Sequence, residues 1–108
     1  MNYLRFKNMK QYLDKDQTAK LMELGFPRPK HSSSVEEFDG KGWAGHVRVT
    51  FDYSIGELIE FIHRWMIEIG SDIDWYVKTI FTDGIFVSEE LIDALYEACK
   101  NLRERGKI

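Results

Sequence analysis

The last part of the chain carries an amphipathic helix that requires a surface to pack against. Ser88 is the predicted N-cap of a helix over residues 89–105. Glu89 and Glu90 suit its first turn, and Gly106 follows its end. The apolar side chains recur at steps of three and four residues, namely at Leu91, Ile92, Leu95, Ala98, Cys99 and Leu102. Because such a one-sided helix packs against other elements, this stretch predicts a globular domain.

A shorter helix over residues 15–24 is predicted near the start of the chain. Asp14 and Gln17 have the spacing of a capping box, in which two side chains satisfy the first free backbone N–H groups of a helix. Gly25 suits the left-handed position after the last turn. Pro27 then prevents the helix from resuming.

The middle helix is predicted over residues 55–69, with one alternative. Ser54 and Glu57 form a second capping box, and apolar residues keep the helical period to the end of the stretch. Trp65, Ile67 and Ile69 also recur at every second position, as they would on one face of a strand. In that alternative the helix stops near His63 and a strand follows. The periodicity favours the longer helix.

The stretches between the helices have the composition of β-strands. Residues 75–81 are rich in β-branched and aromatic side chains, and an Asp-Gly turn leads from them into residues 85–87. We expect these two stretches to form a hairpin, with the alternating residues 46–51 in the same sheet. Residues 28–45 are predicted to be a long irregular connection. The fold class is therefore a single α+β domain: a small, mainly antiparallel sheet with about three helices packed on one side.

Three stretches of the chain resemble a group of small proteins. They are LMELGFP at residues 21–27, YSIGELIEFI at residues 53–62 and SEELIDALY at residues 88–96. This pattern resembles uncharacterised small α+β proteins of gut-bacterial genomes, their phages and mobile elements. The resemblance implies an accessory protein that acts by contact, and it carries over no activity and no catalytic residues. It also implies that the second helix breaks after Ile62 and leads into a strand, where this chain could continue the helix.

Charge is segregated along the chain, which raises nucleic-acid binding as an alternative function. Residues 1–30 carry a net charge of +4, residues 31–98 carry −10 and residues 99–108 carry +3. Basic residues at the start alternate with Tyr3 and Phe6, and such mixtures can bind single-stranded nucleic acid. The basic ends can equally neutralise the acidic middle. The overall charge of −3 and the isoelectric point near 5.6 favour this second interpretation.

Catalytic and metal-site patterns are weak. The three histidines lack the close spacing of zinc ligands, and Cys99 lies at helical spacing from core positions. The glycine string at residues 40–45 is not flanked by the strand and helix of a nucleotide site. We therefore expect no enzyme, no metal and no cofactor. The single cysteine and the absence of a long apolar run predict a cytoplasmic protein without a membrane segment.

The leading functional hypothesis is a small intracellular interaction protein with a protein partner. Its predicted binding residues are Trp43, Lys41 and His46: an aromatic anchor in a glycine-rich stretch, with a polar rim. The alternative for Trp43 is a core role. A Trp43→Ala change separates the two, because it weakens partner binding in one case and destabilises the domain in the other. The sequence predicts neither the partner's identity nor the oligomeric state.

Overall fold

Three helices and five strands make up the part of the chain that the structure describes. The structure is a computed structural model that describes residues 9–38 and 46–108. In chain order the elements are α1 (Lys15–Glu23), β1 (Ser32–Phe38), β2 (His46–Phe51), α2 (Ile55–Ile62), β3 (Met66–Ser71), β4 (Trp75–Thr79), β5 (Ile85–Ser88) and α3 (Leu91–Glu104). The α+β class is confirmed.

Both predicted capping boxes are present. The Asp14 carboxylate accepts a hydrogen bond from the Gln17 N–H at 2.8 Å, and the Gln17 side-chain oxygen accepts one from the Asp14 N–H at 3.1 Å. Ser54 and Glu57 make the equivalent pair at the start of α2. At the other end of α1, Gly25 adopts a φ of +96°, the left-handed conformation predicted for it.

The prediction of a continuous helix over residues 55–69 is wrong, and its alternative is confirmed. Helix α2 ends at Ile62, a turn follows in which the Trp65 N–H donates to the Ile62 carbonyl at 2.8 Å, and β3 begins at Met66. Pairing explains the outcome. Strand β3 hydrogen-bonds along β4, with Ile69 opposite the fully buried Val77, and this contact outweighs the local helical period.

The start of the last helix also differs from the prediction. Helix α3 begins at Leu91, and its N-cap position is Glu90, whose side chain makes no capping bond. Ser88 is not the N-cap because it belongs to β5, where it pairs with Trp75. The Glu90 carboxylate instead accepts a hydrogen bond from the Lys10 backbone N–H at 3.0 Å, which ties the start of the described chain to α3.

The strands form two sheets, so the prediction that residues 46–51 join the hairpin sheet is wrong. Strand β2 pairs with β1, with Val35 opposite Val49, in a separate two-stranded sheet. Both sides of β4 are already occupied by β3 and β5, which leaves β2 no place next to it. The prediction of an irregular connection over residues 28–45 is wrong for β1, while residues 39–45 lie outside the described residues.

Helix α3 is the central element of the core. It packs against β4 and β5 on one side of the three-stranded sheet, and against α2. Its predicted apolar positions are all buried, and Leu95 and Leu102 have no exposed surface. Leu13, Leu21, Tyr53, Leu58 and Ile62 complete the same cluster from the first part of the chain. Within the described residues, none of the helices has the length and apolarity needed to cross a membrane.

Candidate interaction surface

The three-stranded sheet has one face in the core and the opposite face towards solvent. Successive side chains of a strand point to opposite faces. In β4, Trp75, Val77 and Thr79 are buried, whereas Tyr76 is half-buried and Lys78 is exposed. Helix α3 therefore covers one face, and the alternate residues lie on the outer face.

The outer face carries apolar side chains along β5. Ile85 is 50% exposed and Val87 is 62% exposed, although both belong to a regular strand. The register places Lys78 opposite Ile85 and Tyr76 opposite Val87. We call this set, together with Glu68 and Gly70 of β3, the outer sheet face.

Tyr76 lies across the outer sheet face and covers Gly70. The two residues are cross-strand partners, and a Cβ built on Gly70 would overlap the Tyr76 ring. The Tyr76 hydroxyl lies near the Glu68 carboxylate. Desolvation of this hydroxyl, together with the negative charges of Glu68 and Asp72, raises the pKa of Tyr76 above its ordinary value. The ring is therefore held in a defined position beside the apolar side chains of β5.

Exposed apolar residues concentrate around this sheet. Among the described residues, five of the eight large exposed apolar side chains lie on its strands or turns, namely Ile67, Ile73, Ile80, Ile85 and Val87. The register shift between Met66 and Glu68 accompanies the exposure of Ile67 at 60%. Groups of exposed apolar residues with a polar border are typical of surfaces that bind other proteins.

A second apolar surface lies where α1 approaches the end of β2. Met22, Arg28, Pro29 and Phe51 line an open groove of about 290 Å³. This volume is at the lower limit for a small-molecule site, and its lining supplies a single charged side chain. An adjacent cavity of about 130 Å³ lies beside Glu57, which is too small for an organic ligand. The groove is thus a weaker candidate than the outer sheet face.

The basic residues at the end of the chain contact the domain itself. The Arg103 guanidinium donates to the Leu24 carbonyl at 2.7 Å and lies over the Phe26 ring. Arg105 forms an ion pair with Asp83 and lies over the Phe81 ring at 4.4 Å. The Arg105–Asp83 ion pair is the kind of contact that the neutralising interpretation predicts, whereas the contacts of Arg103 are with a backbone carbonyl and a ring.

The described part of the chain contains neither an exposed thiol nor a cluster of metal-binding side chains. Cys99 is fully buried, and burial raises the pKa of its thiol, so the reactive thiolate is disfavoured. No three His, Cys, Asp or Glu residues among those described lie close enough together to hold a metal ion. Glu57 is buried, but its carboxylate accepts hydrogen bonds from the backbone N–H groups of Lys30 and Ser54.

The binding residues predicted from the sequence are not brought into a described site. Trp43 and Lys41 lie outside the described residues, and of His46 only the backbone is described, at the start of β2 opposite Phe38. Their role stays a prediction.

Tyr76, Ile85 and Val87 were not predicted from the sequence as surface residues. The sequence contains the necessary signal. In a hairpin of residues 75–81 and 85–87, these three side chains lie on one face and those of Val77 and Phe86 lie on the other.

Comparison of the chain with protein-family models, with curated proteins and with solved structures finds no match.

Proposed function

We propose that this chain is a small intracellular interaction protein that binds a partner protein through its outer sheet face. The observation that carries the proposal is the regular strand β5, which holds Ile85 and Val87 half or more exposed beside the fixed ring of Tyr76. Tyrosine is enriched among the residues that dominate binding energy at interfaces. The proposed role is binding rather than catalysis.

The composition of the face suits a protein partner. Its apolar part, along β5, is bordered by Lys78 and Glu68, which form a cross-strand pair of opposite charge. An apolar centre with a polar rim is the usual anatomy of a protein–protein interface. An accessory role in a phage or mobile element rests on the sequence resemblance alone, and the buried single cysteine supports a cytoplasmic location.

The proposal is tested by comparing two tyrosines. Tyr76 lies on the outer sheet face, and Tyr96 lies on α3, and both are half-buried. Purified wild-type protein, Tyr76→Ala and Tyr96→Ala are used as baits in extracts of the source cells, and the affinity of each captured protein is then measured. An interface tyrosine of the dominant type contributes about 2 kcal/mol or more, so Tyr76→Ala should weaken binding by about 30-fold.

Tyr96→Ala is the matched control, because it removes the same ring from a different surface. It should leave the affinity unchanged. Equal retention of the partner by wild-type and Tyr76→Ala baits, with both variants folded, would refute the outer sheet face as the binding surface.

The alternative function, nucleic-acid binding by the basic ends, has less support. Arg103 and Arg105 contact the domain, and the Lys10 ammonium bonds to Asp93 at 3.1 Å. Retention on single-stranded DNA or RNA that falls steeply with salt would favour this alternative, since release of counterions gives such binding a strong salt dependence.

A further inference from the structure

The two edges of the three-stranded sheet differ in their protection against pairing with another chain. Edge strand β3 contains the charged Glu68 and a register shift next to it, and both features discourage further pairing. Edge strand β5 reads Ile85-Phe86-Val87-Ser88, with no charge, no proline and a regular register. Within residues 9–38 and 46–108, no strand pairs with β5 on the side away from β4. Strand β5 is therefore the edge suited to pairing.

The backbone of β5 directs specific groups to that edge. The Thr79 N–H donates to the Gly84 carbonyl at 2.8 Å, so these residues form a hydrogen-bonded pair. Bonded and non-bonded pairs alternate in an antiparallel ladder, which makes Val77 and Phe86 the next bonded pair. It follows that Ile85 and Val87 point their N–H and C=O groups away from β4, towards the edge.

We propose that a second copy of this chain pairs with β5 in antiparallel orientation, across a two-fold axis that passes between the two Phe86 residues. Ile85 of each copy then faces Val87 of the other, and each such pair exchanges both backbone hydrogen bonds. The two sheets become one continuous sheet with a helical layer on the same face in both copies. This association goes beyond the proposed function, which concerns the side chains of the outer sheet face.

The strand is complementary to itself in its side chains as well as its backbone. On the outer face, Ile85 and Val87 of both copies meet in one apolar cluster, with aliphatic side chains directly opposite one another. At each end Glu89 is level with Asp83 of the other copy, which is an unfavourable contact between like charges. Arg105 reduces this repulsion because it already forms an ion pair with Asp83. Because the β3 edges are protected, the assembly closes at two copies and does not extend into a fibre.

The contact is small, so the association depends on concentration. A single pair of four-residue strands buries less surface than a permanent dimer, and such contacts belong to the weak class. We expect a dissociation constant between about 10 µM and about 1 mM. The mass measured by sedimentation should rise from 12.8 kDa towards twice that value across this range.

Amide hydrogen exchange of the purified full chain tests the pairing at the backbone. Above the dissociation constant, exchange of the Ile85 and Val87 amides should slow at least about fivefold relative to dilute protein, because only the dimer protects them. The Phe86 and Ser88 amides bond to β4 in both states and serve as internal controls, since their exchange should not change with concentration.

Two variants of Val87 separate the backbone bond from the side chain. Val87→Pro removes only an N–H that β4 does not use, and proline is tolerated at such edge positions. It should raise the dissociation constant at least about tenfold, whereas Val87→Thr keeps the N–H and the β-branched shape and should retain most of the association.

Several outcomes overturn the proposal. They are a wild-type chain that stays at 12.8 kDa at about 1 mM, a mass that grows beyond two copies, and Ile85 and Val87 amides whose exchange ignores concentration. A wild-type monomer that nevertheless loses its partner on Tyr76→Ala would reject the second copy and leave the proposed function standing. If the wild type forms a dimer but Tyr76→Ala captures the partner as well as the wild type does, the second copy stands and the proposed function is rejected.

Discussion

Two valines on opposite faces of one hairpin show how differently the same side chain is used. Val77 of β4 points into the core and has no exposed surface, whereas Val87 of β5 points to the outer face and is 62% exposed. Burial of a valine contributes about 1.5–3 kcal/mol to stability, and an exposed one contributes little. Stability thus accounts for Val77 and not for Val87. Under the proposed function, contact with a partner accounts for the outer position.

The same contrast holds for the tyrosines. Tyr53 has no exposed surface, and its hydroxyl donates to the Pro27 carbonyl inside the domain. Tyr76 lies over Gly70 on the outer face, near the Glu68 carboxylate. The buried Tyr53 links two parts of the chain that are 26 residues apart, whereas Tyr76 belongs to the surface that we propose for binding. Substitutions on the two faces should therefore affect stability and binding separately.

The largest expected effect is on the inner side. Leu95 of α3 is fully buried, so Leu95→Ala should lower the free energy of unfolding by about 2–5 kcal/mol, through lost burial and the cavity that remains. Urea denaturation measures it. Glu97→Ala, at an exposed position of the same helix, is the control and should stay within about 0.5 kcal/mol. Equal losses in the two variants would contradict the placement of α3 against the sheet.

The two valines provide the most direct test of the comparison. Val77→Ala should cost about 2 kcal/mol of stability, because it removes two buried methyl groups. Val87→Ala should cost less than about 0.5 kcal/mol under the same conditions, at a concentration where the chain is monomeric. Both losses of unfolding free energy are measured by urea denaturation, with the same dependence on urea concentration assumed for both variants. A Val87→Ala loss as large as that of Val77→Ala would mean that the outer face is covered within a single chain.

Local signals in the sequence were sufficient for the starts of α1 and α2, but not for the start of α3 or for the pairing of strands. The capping boxes at Asp14 and Ser54 involve residues three apart, so the sequence contains all the information they need. The stretch after Ile62 satisfies both a helical and a strand pattern, and only its pairing with β4 decides between them. For the same reason the partner of β2 could not be read from residues 46–51.

The candidate site could likewise be predicted from local signals only in part. Tyr76, Ile85 and Val87 lie in a hairpin that the sequence predicts, and its alternation assigns them to one face. Their exposure depends on which face α3 covers, and that is a tertiary contact between residues far apart in sequence. Trp43 was selected by residue type and glycine context, both of which are local.

Tyr53 predicts a loss of stability at alkaline pH. Burial, with smaller contributions from Glu57 and Cys99, raises the pKa of Tyr53 from 10.0 to about 12. The unfolded chain releases this proton from pH 10 upwards while the native chain retains it. Stability is therefore fully present below pH 10 and falls as pH rises towards 12, by about 1 kcal/mol at pH 11.

Tyr53→Phe isolates this contribution. The variant is less stable at neutral pH because it lacks the bond to Pro27, but its stability should fall less steeply between pH 10 and pH 11 than that of the wild type. The comparison uses urea midpoints at each pH. Parallel pH profiles for the two proteins would show that the Tyr53 hydroxyl does not titrate differently in the native state.

The smallest expected effect is on the outer face, where Gly70→Ala should move Tyr76 without unfolding the domain. An Ala Cβ would occupy the space of the Tyr76 ring, and the ring, being on the surface, can swing away. Alanine is also favoured over glycine within a strand by about 0.5–1 kcal/mol, so net stability should change by less than about 1 kcal/mol. Displacement from Glu68 should lower the pKa of Tyr76 towards 10.0, which an NMR titration of the ring carbons measures.

Gly56→Ala is the matched control, because a Cβ there meets only Ser54 Oγ at 4.0 Å and lies far along the chain from Tyr76. If the pKa of Tyr76 is the same in wild type and in Gly70→Ala, the ring is not held by Gly70, and the outer sheet face loses the fixed aromatic group on which its proposed role depends.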